Sequence, residues 1–292
     1  MTQIWQVQNN QVPERVRHTI HEFLKEMKSA DREFESIKKY GQLLERFFVA
    51  TPKDFEHLTS NDVIDWLNSL GDIKEATFNQ YLSKFTMFFK FCEDEGYIEK
   101  VLVKKRWRAK VPKPVPKHID PINLAKYRLT VENESLRDQA IIELLISSGA
   151  RNKEICGLDI KDIDLENCKA KVLAKGNKLQ TKKFSDQCRV ILEKYLKVHP
   201  GNSFALFVNR NGNRITTNNV RDVVKKHWKK AELYERVYPH RFRHSFATNL
   251  LIEGKDLSAI RDALGHAFVS TTIIYTNYPS IELRKLYRKY KG

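Results

Sequence analysis

Apolar positions recur in helical steps from His18 to about Ile98. In "ATFNQYLSKFTMFFKFCEDEG", Phe78, Tyr81, Leu82, Phe85, Phe88 and Phe89 come back every three or four residues and line one helix face. Gly96 is the stop signal for that helix. Upstream, "LTSNDVIDWLNSLG" offers Thr59 or Ser60 as N-cap and Gly71 as terminator. The pattern predicts a small all-helical domain of about four helices over 1–103. Its aromatic stripe reads as core, not as a surface for stacking bases.

Past that stretch the pattern breaks. "KKRWRAKVPKPVPK", residues 104–117, has seven basic residues, three prolines and no acid. Proline fixes φ and restrains the residue before it, so 104–119 reads as an extended, semi-rigid linker. From about Asp120 to the end, 120–292, a second domain is expected. "SLRDQAIIELLISSGA" reads as an amphipathic helix ending at Gly149. "NCKAKVLAKGNKLQTKKFS" has short segments of strand character around Gly176-Asn177, which predicts a β-hairpin. Helices return from about Ser185. Pro239 and Gly254 bracket a further helix, and "DLSAIRDALG" is one more, ended by Gly265. The class is mainly α with a small β-sheet.

Charge narrows the partner. Lys plus Arg less Asp plus Glu is 52 − 36 = +16, with pI near 9.6. Such an excess fits nucleic acid first. Lys104, Lys105, Arg106, Arg108 and Lys110 are suited to lie along a phosphate backbone. No apolar run is long enough to span a membrane and the start is not a signal peptide, so no membrane partner is expected. Cys92, Cys156, Cys168 and Cys188 show no C-x-x-C pairing and read as thiols of a reducing cytoplasm.

"PHRFRHSFAT", residues 239–248, places four cations at a helix start, where backbone N–H groups already favour an anion. They repel that field unless an anion, such as a phosphate, sits among them. His240 and Arg243 are three apart and share a face. Phe242, Phe246 and Leu250 are four apart and face the core. His240 and His244 have zinc-ligand spacing, but H-E-x-x-H needs a glutamate where Arg241 stands. Arg151 follows a helix terminator. Glu154, three later, either orients its guanidinium or makes a surface ion pair. Lys175 precedes the hairpin turn and alone reads as a solvated lysine. His266 follows Gly265, and Tyr275 lies nine residues on.

Taken in order, "SGARNKEICGL", "AKGNK", "PHRFRHSFAT" and "LGHAFVSTTIIYTNY" resemble the signature of the tyrosine recombinases, or phage integrase family. The resemblance covers about residues 120–285 and, more weakly, the helical half and linker. It implies that Arg151, Lys175, His240, Arg243, His266 and Tyr275 are catalytic, with Tyr275 the nucleophile. Lys178 remains a rival for the hairpin lysine. Ala150 stands where the family usually has leucine, and Phe242 where leucine is more usual. The implied fold is a C-shaped DNA clamp with an all-helical, SAM-like core-binding domain and a mostly helical α/β catalytic domain. The implied partners are double-stranded DNA recombination sites, a homotetramer on that DNA and accessory DNA-bending proteins; 279–292 reads either as a helix exchanged between subunits or as one docked on its own subunit. No cofactor and no metal is expected, because cations do the work of magnesium. A length of 292 residues favours the simpler Xer-like or transposon resolvase and integrase types. The rival readings are a type IB topoisomerase and a DNA-binding protein that no longer cuts.

Overall fold

Pro13 fixes the chain just before the first helix, and the elements follow from there. We describe residues 6–112, 117–174, 178–201 and 203–265 of a computed structural model. The chain divides into two units, Met1–Pro112 and Lys113–Gly292.

The first unit has α1 (Glu14–Ser29), α2 (Phe34–Ala50), α3 (Ser60–Ser69) and α4 (Glu75–Asp94). Helix α1 starts four residues before His18, because Val16 joins Ile20, Phe23 and Leu24 in the core. Thr59 caps α3 in a capping box with Asp62, each side chain taking the other's backbone N–H. The α4 aromatics are indeed core. Phe47 packs edge-on against Trp66 at 5.4 Å and against Phe85 at 5.0 Å.

The basic segment differs from expectation at its start. A 3-10 turn spans Lys105–Trp107, and Trp107 packs against the helical core. The Asn79 side chain on α4 pairs with the backbone of Ala109 in both directions, at 2.9 and 3.0 Å. Arg108 donates to Ser83 Oγ at 2.8 Å. A side-chain amide has a donor and an acceptor, so Asn79 satisfies both backbone groups of one residue as a neighbouring strand would. Lys104, Lys105, Arg106, Arg108 and Lys110 stay exposed on this anchored stretch.

The second unit is built round α6 (Leu136–Ser148), following α5 (Pro121–Val131). Helix α6 is not amphipathic as its sequence pattern predicts. Ala140 through Ile146 are all buried, so it runs through the core with neighbours all round. Next come α7 (Asn152–Gly157), β1 (Ile163–Asp164), β2 (Lys169–Ala174) and β3 (Lys178–Lys183). The strands form one antiparallel sheet, β1-β2-β3, with Ala170 opposite Lys182 and Val172 opposite Gln180. Residues 175–177, the expected turn, lie outside the described residues. Then follow α8 (Asp186–Lys197), α9 (Thr217–Lys230), α10 (Pro239–Ile252) and α11 (Leu257–Leu264). His227, wholly buried on α9, shares a hydrogen bond of 2.9 Å with Asp138 on α6.

Gly149 ends α6 in a left-handed conformation, φ 60°. A Cβ there would lie 2.4 Å from Phe246 Cδ1 on α10. Gly254 is also left-handed, φ 80°, but a Cβ there would meet nothing within 4 Å. Gly149→Ala is therefore expected to cost about 2–4 kcal/mol, strain plus a displaced ring, and Gly254→Ala only about 1 kcal/mol. Urea unfolding of the whole chain checks this. Equal shifts of the two midpoints would show that α10 does not press on Gly149.

Candidate active site

Arg151 is placed by the turn from α6 into α7. It is the N-cap residue of α7, and Glu154 reaches back to it from the first turn. One Glu154 oxygen accepts the Arg151 backbone N–H at 2.7 Å, and the other accepts Nη1 at 2.6 Å. Glu154 is 3% exposed while the Arg151 side chain is 33% exposed. The carboxylate therefore orients the guanidinium, and the surface ion pair is ruled out.

Helix α10 distributes the cations of "PHRFRHSFAT" between two tasks. Arg241 turns toward the backbone. It donates to the carbonyls of Arg236 at 2.6 Å and His118 at 3.0 Å, and to Glu235 at 2.6 Å. Its charge is thus spent on holding the chain entering α5 and α10. Arg243, 1% exposed, faces the other way. Its Nη1 donates to the Gly149 carbonyl at 2.7 Å and its Nη2 to the Leu264 carbonyl at 2.9 Å. One guanidinium thereby joins the C-terminal ends of α6 and α11 to α10.

His240 reaches the surface at the start of α10. Protein crowding its ring, then the charges of Arg243 and Arg151, lower its pKa from the usual histidine value. The imidazole is therefore neutral near pH 7 and able to accept a proton. The His244 ring meets it edge-on at 4.5 Å. Burial, then His240, then Arg243 bring the His244 pKa down to about 4.

The sequence reading missed two residues of this site. Ala170, Val172 and Ala174 alternate inward on β2. Directly opposed residues of an antiparallel pair share a face, so Lys182 and Gln180 on β3 also point inward. Lys182 is 1% exposed and donates from Nζ to the Ala263 carbonyl at 2.7 Å. Its pKa is pushed down to about 8, first by burial, then by Arg243, with Glu154 opposing and Arg151 adding. Gln180 Nε2 makes a longer contact, 3.4 Å, with the Gly265 carbonyl. The signal was the inward alternation of β2; "KLQTKK" itself has no apolar alternation to reveal it.

Arg151, His240, Arg243 and Lys182, carried by the start of α7, by α10 and by β3, thus form one electrostatically coupled cluster, with Glu154 among them. Lys175, His266 and Tyr275 lie outside the described residues, as does 279–292. Lys104, Lys105, Arg106, Arg108 and Lys110 belong to the first unit.

Comparison with known proteins gives this cluster its context. The profile of the phage integrase family matches residues 122–280, more than half of the chain. The tyrosine recombinase XerC of Thermodesulfovibrio yellowstonii is 32% identical over 269 residues, covering 87% of this chain and 89% of that one. The chain is a tyrosine recombinase of the phage integrase family. The Staphylococcus carnosus XerC is 32% identical over 80% of this chain and 81% of its own. Among solved structures, the XerH site-specific recombinase bound to palindromic difH substrate, a post-cleavage complex, has TM-score 0.76 at 21% identity. It covers 97% of this chain and 91% of that one, a likeness of fold. The recombinase is a DNA strand transferase, mainly helical with a small antiparallel sheet. Among the described residues no helix is long and apolar enough to cross a membrane.

The histidine pair makes the recombinase sensitive to acid. The unfolded chain protonates His244 near 6.5, the folded one only near 4. Between those values the unfolded state binds more protons, so stability is full above pH 6.5 and declines as pH falls toward 4. His240, also lowered, acts in the same direction. His244→Gln is expected to flatten this decline in urea midpoints measured across that range. An unchanged pH slope would mean that His244 is protonated without cost in the fold.

Proposed function

We propose that the recombinase cuts and rejoins DNA at paired recombination sites through a covalent 3′-phosphotyrosyl link to Tyr275, acting as a homotetramer. The observation that carries this reading is the gathering of Arg151, Arg243 and His240 at one place, with both guanidinium charges acting on a neutral imidazole. That is what attack on a phosphodiester needs: positive charge for the non-bridging oxygens and a base for the nucleophile.

In this reading the Tyr275 oxygen attacks phosphorus and its proton passes to His240. The bond from phosphorus to the 5′-oxygen breaks, and Lys175 gives that oxygen a proton. His266 donates to a non-bridging oxygen. The 5′-hydroxyl of a second strand then attacks the phosphotyrosine, restoring Tyr275 and joining the new partner. The covalent link conserves the bond energy, so no nucleotide cofactor is needed. Arg151, oriented by Glu154 and partly exposed, offers N–H donors, and donors of this kind contribute about 3 kcal/mol each to lowering a barrier. Arg243 holds the frame and places its own charge in the cluster. The five exposed cations of residues 104–110 track the DNA backbone, aided where necessary by DNA-bending proteins. Similarity to XerC proteins along most of both chains supports a two-site recombination role.

Covalent capture tests this directly. The recombinase is incubated in EDTA with sheared DNA of its source, and complexes that survive SDS are sequenced. Wild type is expected to give adducts at discrete sites, with protein on the 3′ end, and Tyr275→Phe none while still binding DNA. Adducts in the Tyr275→Phe protein would move the nucleophile to another residue such as Tyr278. Relaxation of supercoiled DNA without any preferred site would favour the topoisomerase reading.

The leaving group tests Lys175. An alcohol oxygen leaves poorly unless protonated, whereas a thiol, with a pKa of about 8.5, leaves as its anion. Lys175→Ala is expected to be slow on ordinary DNA and rescued on DNA carrying a 5′-bridging sulfur. Arg151→Ala is not rescued, because its donors serve the other oxygens. Rescue of Lys178→Ala in place of Lys175→Ala would transfer the acid role three residues along.

A further inference from the structure

The last turn of α11 carries three consecutive carbonyls that its own helix cannot satisfy. The Gly265 N–H closes the helix by bonding to the carbonyls of Arg261 and Asp262. The carbonyls of Ala263, Leu264 and Gly265 are left over, as at any helix end. Each is met by a side chain from another element. Lys182 Nζ takes Ala263 at 2.7 Å, Arg243 Nη2 takes Leu264 at 2.9 Å, and Gln180 Nε2 lies 3.4 Å from Gly265. Two of the three donors are cations at the negative end of a helix, where positive charge is favoured. Two of the three come from the inward face of β3. Gly265 is left-handed, φ 68°, and a Cβ there would lie 1.8 Å from Gln180 Oε1, so the Gln180 side chain would have to give way.

We propose that Lys182 is a positioning residue for strand transfer: its ammonium clamps the end of α11 to β3 and so fixes the chain at Gly265, one peptide bond before His266. This rests on the role given to His266 above. A buried lysine is an expensive choice for a clamp, since an apolar side chain would fill the same space without desolvating a charge. The charge is useful because it bonds a helix-end carbonyl more strongly than a neutral donor does. The groups facing it are Arg243 from α10 and Arg151 and Glu154 from the start of α7. A bound phosphate, being an anion, relieves the repulsion among the three cations and tightens the clamp when substrate arrives. Gln180 extends the same clamp by one residue.

Two readouts on the full-length protein decide it. The first is amide hydrogen exchange without DNA. Lys182→Met is expected to speed exchange across 257–265 while leaving the amides of α6 unchanged. The second is single-turnover covalent capture on the DNA recovered above. Capture at saturating protein is expected to slow by about tenfold or more, as when a reacting group is displaced, while the half-saturating concentration holds. In a His266→Ala background the same substitution is expected to add almost nothing, because residues acting as a unit are not additive.

Unchanged exchange in α11 with slower capture would overturn the clamp and place Lys182 against the phosphate itself. Multiplying losses in the double variant, or affinity and rate falling together, would also overturn it. If Lys182→Met does not fold, Gln180→Met removes the neighbouring donor without touching a charge. A smaller change in both readouts, again absent beside His266→Ala, supports the clamp, and none opposes it. Absence of capture by the wild-type protein would refute the strand-transfer reading alone, and exchange at 257–265 would still decide the clamp.

Discussion

A single buried guanidinium holds the catalytic unit in register. Arg243 sits on α10 and donates to the last carbonyl regions of two other helices, Gly149 of α6 and Leu264 of α11. Both are helix C-termini, rich in unpaired carbonyls and negative in potential, so a permanent cation between them is favourable. Lysine could not replace it, since only a planar fork reaches two separate acceptors with fixed geometry. The residues on either side of these anchors are those to which the proposed strand transfer assigns its chemistry. Arg151 lies two residues past Gly149, His240 one turn before Arg243, and His266 two residues past Leu264. Placing one side chain therefore places the starting points of three others.

The same economy governs charge. Three cations, Arg151, Arg243 and Lys182, share the cluster with one buried carboxylate, Glu154. Glu154 is used up in orienting Arg151 and caps α7 at the same time. The excess is positive, and neither arginine can shed its proton to relieve it. Burial of the His240 ring first, then the charges of Arg243 and Arg151, lower its pKa and favour its neutral form. A base and an electropositive pocket usually compete, because charge that attracts phosphate also attracts hydroxide and repels protons. In the proposed reaction a neutral His240 is ready for the proton of the nucleophile.

Much of this was legible in the sequence. Boundary residues gave the starts of α3, α8 and α10 and the end of α4 to within a residue or two, because Thr59, Ser185, Pro239 and Gly96 are sharp chemical signals. Arg151, His240 and Arg243 were found by order and spacing, and the fold brings them together. Three features were hidden. Helix α6 was read as amphipathic, yet its acidic residues Asp138 and Glu143 are buried with partners. The linker was read as starting at Lys104, since nothing in "KKRWRA" announces that Asn79, 30 residues away, will pair with Ala109. Lys182 was invisible because a lysine in a polar strand reads as solvated. Only the register with β2 turns it inward, and register is a property of two strands, never of one.

The surplus of cations has a bearing on the lifetime of the protein. Arg151, Arg243 and Lys182 outnumber Glu154, the one buried carboxylate beside them, and the excess works against folding; a phosphate held there in the proposed reaction would offset it. Any ligand that binds only the folded state stabilises it by mass action. With phosphate bound as the proposed reaction requires, the molecule would be more durable seated on DNA than adrift from it. Unfolding and proteolysis then fall chiefly on copies without a site, so the geometry that equips the recombinase for phosphate also biases which copies persist.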